Sequence, residues 1–117
     1  MNVQEFASSL FELHTDMHIA HLQTNKYSDH MALNDIYQEI VELRDRFIET
    51  YQGYNGIIKG YKIELHEGVD YVKYLENKAK EYAEFRLTLS NGSLQQIVDD
   101  INELITSGLY KLKYLTK

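Results

Sequence analysis

Four of the five histidines in this 117-residue chain fall between residues 14 and 30. His14, His18 and His21 are spaced four and three apart, so on a helix they line one face. That face lies beside an apolar stripe, where an imidazole is dry on one side and reachable on the other. His30 follows nine residues after His21, and further on Asp45 and Glu49 are four apart, neighbours on one helix face. Imidazole and carboxylate together suit a first-row divalent metal such as Fe(II), Zn or Mn better than Ca or Mg.

Helix geometry restricts such a site. His30 and Asp45 sit fifteen residues apart, which on one helix is about 22 Å of rise. One ion cannot touch both within a single chain. Two copies of that helix packed antiparallel across a two-fold axis would bring His30 of one chain to Asp45 and Glu49 of the other, giving two equivalent sites. A metal site here therefore requires at least a two-fold homodimer.

The elements that must position these residues are helical. Phe6, Leu10, Leu13, Met17 and Ala20 recur at steps of four, three, four and three, the stripe of a first amphipathic helix. Gln23-Thr24-Asn25-Lys26 interrupts it, and Ser28-Asp29 is the expected start of a second helix. Its stripe is Leu33, Ile36, Ile40, Leu43 and Phe47, running out near Gln52-Gly53. The short connection predicts an antiparallel hairpin. Residues 53 to 68 carry four glycines, and pattern alone leaves open a short helix, a small hairpin or an ordered crossover.

A third helix is expected from about Val69, with Val72, Leu75, Ala79, Tyr82 and Leu89 inward. Ser90-Asn91-Gly92 reads as a turn, and Ser93 with Gln96 has the spacing of a capping box. The fourth helix carries Leu94, Ile97, Ile101, Leu104, Ile105, Leu112 and Leu115. Gly108 lies inside it, at about 1 kcal/mol relative to Ala. The fold expected is all-α: one four-helix-bundle domain over residues 1–117, with a long crossover between helices two and three.

Composition excludes several functions. Without cysteine there is no disulfide, thiol nucleophile, iron–sulfur cluster or Cys-ligated zinc. Eighteen acidic against twelve basic side chains give a net charge of −6, which argues against holding a nucleic-acid backbone. No apolar run reaches the roughly 18 residues of a membrane span, and Met1-Asn2-Val3-Gln4-Glu5 is no signal peptide, so a cytoplasmic protein is expected, or a virion protein if the source is viral. Glu39-x-x-Glu42-x-x-Asp45 with Glu81-x-x-Glu84 lacks the order and the second Asp of all-α nucleotide pyrophosphohydrolases. His66, in Glu64-Leu65-His66-Glu67, is expected at a helix start or on the surface.

The histidine and carboxylate pattern resembles the miniferritins, the starvation-induced Dps proteins. In that family one His ends helix one, another opens helix two, and an Asp and a Glu follow fifteen and nineteen residues after the second. His30, Asp45 and Glu49 reproduce both spacings. For the first ligand, His18 keeps the family's twelve-residue separation from His30. Ala20-His21-Leu22 matches the local Ala-His-Trp context if the loop is three residues shorter. His21 is preferred, with His18 the second choice or an accessory ligand. The run His21–His30 also looks like a small Dps-like family encoded by tailed phages.

The resemblance implies a ferritin-like bundle that binds iron, or Zn or Mn, between subunits and oxidises Fe(II). Leu22 stands in place of the family's Trp, and helix one begins without the basic tail through which some members bind DNA. These departures support an alternative: a non-enzymatic oligomeric bundle that keeps the fold for assembly or partner binding.

Overall fold

The computed structural model describes residues 1–115 of the chain. Four helices follow in order: α1 (Val3–Gln23), α2 (Tyr27–Asn55), α3 (Tyr71–Arg86) and α4 (Gly92–Tyr114). At about 1.5 Å per residue, the 29 residues of α2 account for the bundle's 44 Å length.

Pairwise contacts fix the directions. His21 meets His30 and Phe11 meets Arg44, so α1 and α2 are antiparallel. Ion pairs Lys111–Asp35 and Arg46–Asp100 set α2 antiparallel to α4. Asn102 donates to the Ala79 carbonyl and Lys113 pairs with Glu76, setting α3 antiparallel to α4. Between α2 and α3, residues 56–70 run the length of the bundle along α1. Neighbours are therefore antiparallel and diagonal pairs parallel, the connectivity of a ferritin-like bundle with one crossover. This is the expected fold class.

The expected stripes form the core. Phe6, Leu10, Leu13 and Met17 of α1 and Leu33, Ile36, Ile40 and Phe47 of α2 are fully buried. They meet Leu75 and Tyr82 of α3 and Ile101 and Ile105 of α4. Phe85 and Val98 join this core although no stripe singled them out. Leu89 lies beyond the end of α3, and Leu115 is the exposed C-terminal cap of α4.

Helix starts differ in detail from the sequence expectation. Asn2 and Glu5 form a capping box at α1. α2 begins at Tyr27 rather than after Ser28-Asp29; its cap Lys26 makes no side-chain bond. Asp29 instead sits in the first turn, where the helix dipole favours a carboxylate, and Tyr71 donates its hydroxyl to it. Asp70 caps α3. At α4 the cap is Asn91, whose Oδ1 accepts from Ser93 N and Leu94 N at 2.9 and 3.1 Å. Gln96 bonds Asp100 rather than closing a box with Ser93.

Gly108 has a packing reason that helix propensity hides. A Cβ there would lie 2.5 Å from Ile36 Cδ1 and 2.9 Å from its Cγ1, and Ile36 has no exposed surface into which to move. Gly108→Ala should therefore destabilise the protein by about 1 kcal/mol or more, overpacking outweighing the propensity gain. In an Ile36→Ala background the same change should become neutral or stabilising, as urea unfolding of the four proteins would reveal.

Candidate metal centre

The α1–α2 hairpin brings His21 and His30 together. His21 is buried at the end of α1 and His30 half-buried in the first turns of α2. Their rings stack with centroids 3.7 Å apart and planes inclined by 20°. His21 Nδ1 lies 2.7 Å from the His30 carbonyl, and His30 Nδ1 lies 2.8 Å from the His21 carbonyl. A carbonyl only accepts, so each Nδ1 carries the hydrogen and donates. The His21 carbonyl is one of the orphan acceptors of the last turn of α1, so the pair closes the helix end as well as the hairpin.

His18, His14 and Tyr37 continue this row along the α1–α2 groove. The His18 ring stacks on Tyr37 at 4.1 Å and 9°, while Tyr37 also approaches His21 at 5.0 Å and His14 at 6.2 Å. Partial burial, reinforced by the Arg44 guanidinium and by His18, holds His14 below the ordinary imidazole range.

Asp45 and Glu49 lie farther down α2, both exposed. Asp45 Oδ1 accepts from Arg44 Nε at 2.9 Å, and the mostly buried Arg44 side chain lies over the Phe11 ring at 4.1 Å. A single chain thus joins His21, His30 and His18 but not the two carboxylates. Among the described residues no group of three or more His, Cys, Asp or Glu can hold a metal.

The stacked pair bears on whether one ion fits. With Nδ1 donating, Nε2 is the acceptor nitrogen of each neutral ring, the form that ligates a metal. Yet an ion lies in the ring plane about 2 Å from its nitrogen. With ring centroids 3.7 Å apart and planes inclined by only 20°, the two rings lie nearly face to face rather than converging on a point that close to both nitrogens. For both rings to hold one ion, one must turn and break its bond to the opposite carbonyl.

A second polar cluster was not foreseen. Asp16, 1% exposed on α1, accepts from His66 N at 2.7 Å, His66 Nδ1 at 3.0 Å and the Tyr74 hydroxyl at 2.6 Å. Burial and the Asp16 bond push the Tyr74 phenol far above its ordinary range. His66 therefore belongs to the crossover and latches it to α1, instead of opening a helix. The signal in the sequence was a carboxylate set directly beside the apolar stripe, next to Met17. Lys78, also buried, donates to Ser9 Oγ at 2.7 Å and lies 3.6 Å from Glu12, giving α1 and α3 a polar seam.

No solved structure matches the chain. Over 52 residues, 44% of this chain, it is 36% identical to an "Uncharacterized 14.6 kDa protein in mobD-ri intergenic region" of Enterobacteria phage T4. The match spans 41% of that relative's length. The comparisons thus support the phage-type branch of the resemblance and add no ferritin-like relative. No helix among the described residues is long and apolar enough to cross a membrane. Residues 21–112, from the clasped His21 to the last buried leucine of α4, match the family described as "Family of unknown function (DUF5856)", and the chain belongs to that family.

Proposed function

We propose that this protein is a non-enzymatic helical bundle that acts as an assembly of identical copies, with its histidine-rich tip serving the architecture. The observation that carries this reading is the reciprocal His21–His30 pair. Both Nδ1 atoms are engaged by carbonyls, and the rings stack nearly face to face instead of presenting both Nε2 atoms to one ion. Asp45 is likewise engaged, by Arg44. Apolar side chains left outside the core support self-association: Ile57, Ile63 and Leu65 of the crossover are 69%, 50% and 53% exposed.

A second reading keeps the metal, favoured by the tautomer that leaves each Nε2 ready to ligate. In it His21 and His30 of one chain, with His18 as accessory, would meet Asp45 and Glu49 of a partner around iron, or Zn or Mn, and bound Fe(II) would pass its electron to dioxygen or peroxide from solution. Fe(II) titration separates the two. On the first reading, purified protein leaves the oxidation rate at that of buffer and retains no stoichiometric iron after desalting. Oxidation faster than in buffer, abolished by Asp45→Ala, would overturn it in favour of the second.

A further inference from the structure

The crossover is built like a strand without a sheet. Gly60, Lys62 and His66 bond to Gln4, Ser8 and Asp16 of α1. Four helical residues separate Gln4 from Ser8 and eight separate Ser8 from Asp16, about 6 and 12 Å of rise. Two and four crossover residues cover those distances, so the chain advances about 3 Å per residue, close to the strand value of about 3.3 Å. Positive φ at Gly60 (82°) and Gly68 (75°) bends the chain at either end.

Strand geometry sends the backbone groups of alternate residues to opposite edges. Between the two bends, the backbone groups that bond the bundle are the N–H of Lys62 and His66, both even-numbered. The N–H and C=O of Tyr61, Ile63 and Leu65 therefore point along the opposite edge, away from α1. All five residues from 61 to 65 are exposed. The Tyr61 ring, edge-on to Phe11 at 5.5 Å, fixes the segment against α1. An open edge of this kind is a template for another strand.

The sequence of the segment states which strand fits. Tyr61-Lys62-Ile63-Glu64-Leu65 is complementary to itself when read antiparallel about Ile63. Lys62 then faces Glu64 of the second copy, Tyr61 faces Leu65, and Ile63 faces its own equivalent. Lys59 and Glu67 continue the pattern at the ends. The parity also agrees, because this register makes the odd-numbered residues, whose backbone groups face outward, the hydrogen-bonded pairs. We infer that residues 61–65 of the crossover pair antiparallel with the same residues of a second copy, making a two-stranded isologous seam centred on Ile63.

This inference rests on the self-assembly proposed above and names its surface. Because the chain has no cysteine, Ile63→Cys introduces a single thiol. Facing residues of a hydrogen-bonded antiparallel pair have Cα atoms about 5.5 Å apart, within the disulfide range of about 4.4–6.8 Å. Under a copper–phenanthroline oxidant, Ile63→Cys should run mostly as a covalent dimer, whereas Leu87→Cys, at a site 81% exposed on the α3–α4 turn, should remain monomeric. Lys62→Glu should weaken dimerisation about tenfold by placing like charges opposite. Adding Glu64→Lys should restore it. A native dimer that neither cross-links through Ile63→Cys nor responds to Lys62→Glu would overturn the seam and leave self-assembly standing. A wild-type chain that stays monomeric at every concentration would overturn both.

Discussion

Asp16→Ala is expected to lower stability by about 3 kcal/mol and to free the crossover from α1. The carboxylate has no solvent-exposed side-chain surface and accepts from three donors, two on His66 and one on Tyr74. Alanine removes all three acceptor bonds at once, and the Tyr74 hydroxyl is left in a mostly dry site. An unpaired buried donor costs more than the bond it lost was worth in net terms, which sets the size of the effect. Two readouts should change together. The urea midpoint should fall, and trypsin should cut rapidly after Lys59 and Lys62, which the latch holds in place. Asp16→Asn keeps one acceptor oxygen without the charge and should fall between wild type and Ala. An unchanged midpoint with an unchanged tryptic pattern would show that the latch carries no weight.

Phe6→Ala is expected to be at least as damaging, at about 3–5 kcal/mol. Phe6 lies in the first turns of α1 but is fully buried and touches rings from two other helices. Phe47 of α2 and Tyr82 of α3 meet it edge-on at 4.8 and 5.0 Å, and Phe85 of α3 stacks on it at 4.2 Å. Truncation leaves a cavity walled by stiff rings on separate helices, which collapse poorly into it. Phe11 offers the internal control: on the same helix, half-buried beneath Arg44, it should cost clearly less when truncated. Chemical unfolding of both variants would decide, and equal losses would contradict the view that the Phe6 cluster ties the helices together.

What was legible in the sequence is what projects onto one helix. Leu10, Leu13 and Met17, or Ile36, Ile40 and Phe47, repeat with the helical period because the core takes one side of each cylinder. The hairpin followed from the short break after Gln23, and with it the neighbourhood of His21 and His30. The reciprocal bonds to each other's carbonyls did not follow, because they depend on ring rotation and not on spacing. The Asp16–His66 latch joins residues fifty positions apart, and nothing local in either segment announces the other. Gly108 was readable only as a propensity defect. The reason for it, the approach of Ile36, belongs to a different helix. The crossover, open between helix, hairpin and extended chain from its pattern alone, is settled by three side chains of α1 that hold every second or fourth residue.

The central claim is that identical copies associate through their own surfaces, without a metal between them. Native mass spectrometry of the chelator-treated, metal-free protein, across a range of concentrations, tests it most directly. The account predicts a dimer or larger assembly that persists without metal and dissociates on dilution. A monomer that becomes a dimer only when a divalent metal is added back would contradict it and favour the metal-bridged reading.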